Sequence, residues 1–224
     1  MTGDTLTTSP TGTRLQIPGR TAAARLIVVV RAPEAAGYDR VLEVLVDAGI
    51  RSVELTLTTP GTIARLPRLI AQFGEDADIG VGTVTNGEQV AAAVDAGAHY
   101  LVTPITDPAL VDAANRAAVP IVPGGLTPTE LFAAWRAGAA AVKIFPANQV
   151  GPGYLKDLRG PFPGIAAVPS GGVDLHGAEA WLQAGAAAVS VGGPLLGDAL
   201  RGGDLDALRD RTTAFVAACS QVMT

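Results

Sequence analysis

The chain has 224 residues, 48% of them hydrophobic and only 4% aromatic, and carries a formal net charge of −5. Length and apolar content suit one large α/β domain. The scarce aromatics and acidic balance exclude a stacking platform for single-stranded nucleic acid, a basic patch for DNA and a surface for anionic membrane.

Residues 1–20 are polar and turn-rich, without the basic start and apolar middle of a signal peptide. They are expected to form a flexible tail on a cytoplasmic protein, with residues 21–224 as a single domain. No apolar run approaches the roughly 20 residues of a membrane span. The one cysteine, Cys219, allows neither an internal disulfide nor a Cys-based metal site, and His99 and His176 lack the spacing of a metal pair. No metal and no cofactor is expected.

Short apolar runs then alternate with Ala/Leu-rich segments of helical period. The runs are Leu26–Arg31, Ser52–Thr58, Asp78–Val84, Tyr100–Pro104, Pro120–Pro123, Ala141–Phe145, Ile165–Pro169 and Ala187–Val191. Thr127-Pro128-Thr129-Glu130 has the form of a capping box with Pro at the first helical position, and Asp107-Pro108 opens a helix similarly. Ala-Gly pairs at Gly49, Gly97, Gly138 and Gly185 supply left-handed residues where helices end. Strands alternating with helices imply a parallel sheet with right-handed crossovers. Eight such units predict a (β/α)8 TIM barrel, an open doubly wound sheet being the alternative.

Only two lysines occur, Lys143 and Lys156, in a chain that otherwise uses arginine for positive charge. Lys143 lies in an apolar run, Ala141-Val142-Lys143-Ile144-Phe145. Arg keeps its proton under all ordinary conditions, whereas a lysine amine can release it and become a nucleophile for carbonyl carbon. The simpler alternative is a Lys whose stem lies along apolar surface while its head reaches water. In Val53-Glu54-Leu55-Thr56-Leu57-Thr58, alternation sends Val53, Leu55 and Leu57 one way and Glu54, Thr56 and Thr58 the other. The apolar side must meet the helices, so Glu54 and Lys143 are expected to share the barrel interior near its C-terminal mouth. Such a pair is either a buried ion pair or a nucleophile with its general acid/base. Gly171-Gly172 and Gly192-Gly193 end the last two apolar runs, where barrels often bind phosphate through backbone N–H groups.

Several segments together resemble the 2-keto-3-deoxy-6-phosphogluconate / 4-hydroxy-2-oxoglutarate aldolases over about residues 25–217. They are Glu54-Leu55-Thr56, Gly80-Val81-Gly82-Thr83-Val84, Pro104, Pro123-Gly124, Lys143-Ile144-Phe145-Pro146-Ala147 and Pro169-Ser170-Gly171-Gly172. The resemblance implies a class I, Schiff-base enzyme without metal or cofactor, a homotrimer acting on a small keto acid and releasing pyruvate. It implies Lys143 as the Schiff-base residue and Glu54 as the general acid/base. Thr58, Thr83, Pro104, Phe145 and Arg31 fall at substrate-binding positions, and Ser170, Gly171, Gly172, Gly192 and Gly193 at the phosphate loops. Two departures stand out: Thr58 replaces an Arg found in many members, and Gly193-Pro194 replaces a Ser-bearing phosphate loop. Three other readings remain at this stage: a related aldolase for 4-hydroxy-2-oxoglutarate or the galactonate-series acid, a phosphate-binding barrel of another chemistry, and a catalytically silent scaffold.

Overall fold

The computed structural model of the protein describes residues 14–222. Among these residues nine short strands run β1 Leu26–Val30, β2 Ser52–Thr56, β3 Asp78–Gly82, β4 Leu101–Val102, β5 Ile121–Val122, β6 Gly124–Gly125, β7 Val142–Ile144, β8 Ala167–Pro169 and β9 Val189–Val191. Helices alternate with them: α1 Gly19–Ala24, α2 Tyr38–Asp47, α3 Thr62–Phe73, α4 Gly87–Asp95, α5 Pro108–Arg116, α6 Pro128–Arg136, α7 Gly153–Arg159, α8 Leu175–Gln183, α9 Gly193–Leu196 and α10 Leu205–Gln221. All eight expected apolar runs contain a strand, and every paired strand is parallel.

The strands form two sheets rather than the single eight-stranded sheet expected. One has the order β5-β4-β3-β2-β1-β9, the other β6-β7-β8. Pro123 separates β5 from β6: it has no N–H to give to a ladder, so the fifth run breaks at that residue. Backbone bonds nevertheless cross both boundaries between the sheets. Lys143 N–H donates to the Pro123 carbonyl at 2.7 Å and Ala187 N–H to the Ala167 carbonyl at 2.8 Å. An isolated parallel bridge joins Ser170 to Ser190.

Apolar residues sort onto two faces as period-2 alternation requires. Val53, Leu55, Val142 and Ile144 join the large core between strands and helices. On the other face Ile27, Tyr100, Val102, Val122, Ala141, Val168 and Ala188 form a second, smaller cluster, with Ile17 packed against it. The helices end as their sequences predict. Thr127 and Glu130 form a reciprocal capping box, Asp107 caps α5, and Gly49, Gly97, Gly138 and Gly185 all have positive φ.

Of the expected flexible tail, residues 1–13 lie outside the described residues, whereas Arg14, Leu15, Ile17 and Pro18 are partly buried. The Arg14 guanidinium stacks on Trp135 and donates to the Ala139 carbonyl at 2.5 Å. Helix α1 is tied down by Asp78. One carboxylate oxygen accepts from Thr21 N–H at 2.7 Å and Thr21 Oγ1 at 2.8 Å, and Arg20 lies 3.6 Å from the other. Ser52 continues this buried chain from Thr21 to the Tyr100 hydroxyl. Burial holds the Tyr100 phenol well above its ordinary pKa, so it stays a neutral link. Hydrogen bonds to a charged partner are each worth about 1.5–3 kcal/mol. Asp78→Ala is therefore expected to destabilise the protein by about 3 kcal/mol or more, read as a lower denaturation midpoint with an unchanged slope.

Candidate active site

Glu54 stands in the middle of β2, on the face away from Val53 and Leu55. Lys143 stands in the middle of β7, between Val142 and Ile144. The two strands belong to different sheets, yet their side chains meet: Lys143 Nζ lies 3.7 Å from Glu54 Oε1. Glu54 is 1% exposed and Lys143 8%. A charge so buried is costly without a partner, and each supplies the other's.

The interior glycines of β3 make this meeting possible. A Cβ on Gly82 would overlap the Glu54 carboxylate, and one on Gly80 would collide with the Tyr100 ring. The strand Asp78-Ile79-Gly80-Val81-Gly82 thus keeps Ile79 and Val81 for the core and leaves space on its other face. The sequence reading noted these glycines without seeing what they make room for.

A cavity of about 210 Å³ opens beside the pair, large enough for a small keto acid. Eleven of the twelve expected site residues line it: Glu54 and Lys143, then Arg31, Thr83, Pro104 and Phe145, then Ser170, Gly171, Gly172, Gly192 and Gly193; Thr58 alone stands apart.

Thr58 is exposed, and its Oγ1 donates to Thr56 Oγ1 at 3.1 Å. Strand β2 ends at Thr56, so the alternation that would have carried Thr58 inward stops two residues short. Thr56, Thr59 and Thr62 then bond to one another and to Tyr38, bracing the turn into α3.

The walls are held firmly. Thr83 lies at φ 60°, a region β-branched residues rarely enter, and such strain concentrates at functional sites. The Phe145 ring centroid sits 5.3 Å from Lys143 Nζ, its face toward the amine's approach. Gly171 and Gly172 have φ of 93° and 71°, and a Cβ on Gly172 would press on the Asn148 side chain at 2.8 Å. At the other loop, Leu195 and Leu196 N–H both donate to the Gly192 carbonyl, and Pro194 has no N–H to offer. Arg31 also lines a neighbouring hollow that reaches Arg201.

The sequence reading missed Val29 and Ser190, which line the same cavity, as does Pro194 of the phosphate loop. Ser190 had a signal: in Ala188-Val189-Ser190-Val191-Gly192 it alternates with two valines of the outer core. Among the described residues no group of three or more His, Cys, Asp and Glu side chains is placed to hold a metal ion. No helix among them is long and apolar enough to cross a membrane.

A lysine and a carboxylate buried together in a carbonyl-sized cavity are the equipment of a lyase that works through an imine. Comparison with known proteins agrees. The family model for KDPG and KHG aldolases matches residues 17–210. The chain is 35% identical over 175 residues to the 2-dehydro-3-deoxy-6-phosphogalactonate aldolase of Escherichia coli strain K12, covering 78% of this chain and 84% of that protein. It is 39% identical over 180 residues to the 2-dehydro-3-deoxy-phosphogluconate aldolase of Dickeya dadantii strain 3937, covering 79% and 83%. A solved KDPG aldolase from Legionella pneumophila, with pyruvate captured as a covalent carbinolamine, superposes with a TM-score of 0.76 at 29% identity, covering 92% and 97%. The chain belongs to the KDPG and KHG aldolase family and is an aldehyde-lyase.

Proposed function

We propose that the protein cleaves 2-keto-3-deoxy-6-phosphogluconate reversibly to pyruvate and glyceraldehyde 3-phosphate, through a Schiff base on Lys143. The observation that carries this reading is the 3.7 Å approach of Lys143 Nζ to Glu54 Oε1 inside one cavity.

Deprotonated Lys143 adds to the C2 ketone, and loss of water from the carbinolamine leaves an iminium. Glu54, directly or through a water, removes the proton of the C4 hydroxyl. The C3–C4 bond breaks, its electron pair passes into the iminium to form an enamine, and the aldehyde departs. Protonation of the enamine at C3 and hydrolysis of the imine release pyruvate and restore the amine. Division of one carbanion step into several easier ones is the gain from the covalent route. Thr83 and backbone N–H groups hold the pyruvate carboxylate, without Thr58. Pro104 and Phe145 keep water from the imine. Gly171, Gly172, Gly192 and Gly193, with Arg31, receive the phosphate.

In this reading the two sheets are arcs of one (β/α)8 barrel spanning residues 21–224. Its support is the backbone bonding at both sheet boundaries and the interior cluster drawn from both sheets. A homotrimer in the cytoplasm completes the proposal. Ile105 and Phe132 are exposed, and Phe132 stacks on Phe162 at 4.3 Å, an apolar face suited to a second copy.

The test is pyruvate release from a panel of phosphorylated and unphosphorylated keto-deoxy acids and 4-hydroxy-2-oxoglutarate. The 6-phosphogluconate-series acid is expected to give the highest kcat/KM. A higher value for the galactonate-series acid or for 4-hydroxy-2-oxoglutarate would reassign the substrate, and no release from any of them would favour a silent scaffold.

A further inference from the structure

Beside the catalytic cavity lies a second hollow of about 320 Å³, and Val29, Arg31, Gly192 and Gly193 line both. A Cβ on Gly193 would meet nothing within 4 Å, so the shared wall is open there. Past that wall the second hollow is lined by Leu196, Leu200 and Arg201.

The two arginines reach it from distant parts of the chain. Val29 is level with Glu54 across the β1–β2 ladder, and Arg31 follows two residues further toward the mouth. Arg201 ends the single turn Ala199–Arg201 that comes after α9. Its N–H donates to the Asp198 carbonyl at 2.8 Å, and buried Ala199 anchors the turn.

Other arginines are spent within the fold. Arg25 and Arg211 donate to carbonyl oxygens, and Arg20 and Arg65 meet carboxylates. Arg31 and Arg201 have neither kind of partner among the described residues, and no Asp or Glu lines the second hollow. Two like charges at one hollow repel each other, and an anion between them turns that repulsion into attraction. A phosphate monoester carries about two negative charges near neutral pH. The glycine loops offer dipoles but no charge, and Arg31 alone balances half of that anion. Pro194, next in the loop, has neither a hydroxyl nor an N–H to add. A second guanidinium completes the match and can hold two phosphate oxygens at once.

Resting on the aldolase reading, we propose that Arg201 is a substrate-binding residue that, with Arg31, grips the substrate's phosphate from the second hollow. A keto acid held at C2 by Lys143 then passes its far end over Gly192 and Gly193 toward the two arginines. The charge pair, not the glycine loops alone, makes the enzyme choose phosphorylated acids.

The experiment compares wild type with Arg201→Lys, Arg201→Ala and Arg201→Glu. Arg201 is exposed, so these variants keep the fold, which thermal unfolding checks. Each is assayed with a phosphorylated keto-deoxy acid and its unphosphorylated counterpart, with inorganic phosphate as competitor, and by borohydride trapping with pyruvate alone. Arg201→Ala should lower the ratio of kcat/KM for the phosphorylated acid to that for the unphosphorylated acid about tenfold, as loss of a charged hydrogen-bond donor does. Arg201→Lys should lose less and Arg201→Glu more, and the Ki of inorganic phosphate should rise from Lys through Ala to Glu. Added salt should shrink the wild-type preference, and pyruvate trapping should match wild type throughout. An unchanged ratio in Arg201→Glu, an equal loss with both acids, or a wild type without preference for the phosphorylated acid would each overturn the proposal. So would a raised Ki for inorganic phosphate with an unchanged ratio, which would make the hollow a site for a free anion. Failure of wild type to trap pyruvate would overturn the aldolase reading itself, and this inference with it.

Discussion

Replacement of Lys143 by Arg is expected to abolish turnover, by about 10⁴-fold or more, while the protein still folds. The guanidinium keeps a positive charge beside Glu54, so the buried carboxylate retains its counter-ion. It cannot release a proton to become a nucleophile, so no imine forms. The larger head group strains the cavity, a cost of about 1–3 kcal/mol in the unfolding free energy. Lys143→Met behaves differently. It is equally inactive but leaves Glu54 buried without a partner, at about 3–5 kcal/mol. Steady-state assays and denaturant unfolding separate the two variants. Turnover retained by Lys143→Arg would mean that another group is the nucleophile.

The second large effect is at Glu54. Glu54→Gln keeps the side chain's shape but removes its ability to take the C4 hydroxyl proton, and kcat is expected to fall about 10²–10⁴-fold. Gly82→Ala tests the same residue through its position. The added Cβ would overlap the carboxylate, so Glu54 must move, and a displacement of about 1 Å can cost 10²-fold. Gly82→Ala should therefore lose kcat although both catalytic side chains are present. Wild-type kcat in Gly82→Ala would show that the placement of Glu54 against β3 is not needed.

Much of this was legible because alternation along a strand is a rigid rule. Once Val53 and Leu55 had to meet the helices, Glu54 had to face the other way, and the same reasoning turned Lys143 inward between Val142 and Ile144. Glycines after helices and the Thr127–Glu130 capping box marked element ends with equal clarity. The rule fails where strands end. Thr58 follows the same alternation on paper, but β2 stops at Thr56 and the chain turns away. Pro123 carries information about hydrogen bonding that a count of apolar runs ignores, so one expected strand became two. The room that Gly82 leaves for Glu54 depends on a contact between neighbouring strands, which no single-strand pattern contains. The packing of Arg14 on Trp135 spans more than a hundred residues of chain and was invisible in a polar, turn-rich tail.

The central claim is that Lys143, and not the other lysine of the chain, forms an imine with pyruvate. It is tested most directly by borohydride reduction in the presence of pyruvate, followed by intact-mass and peptide mapping. One reduced pyruvyl group per chain on the peptide containing Lys143 is the predicted result. A modification on Lys156, or none at all in folded protein, would contradict it.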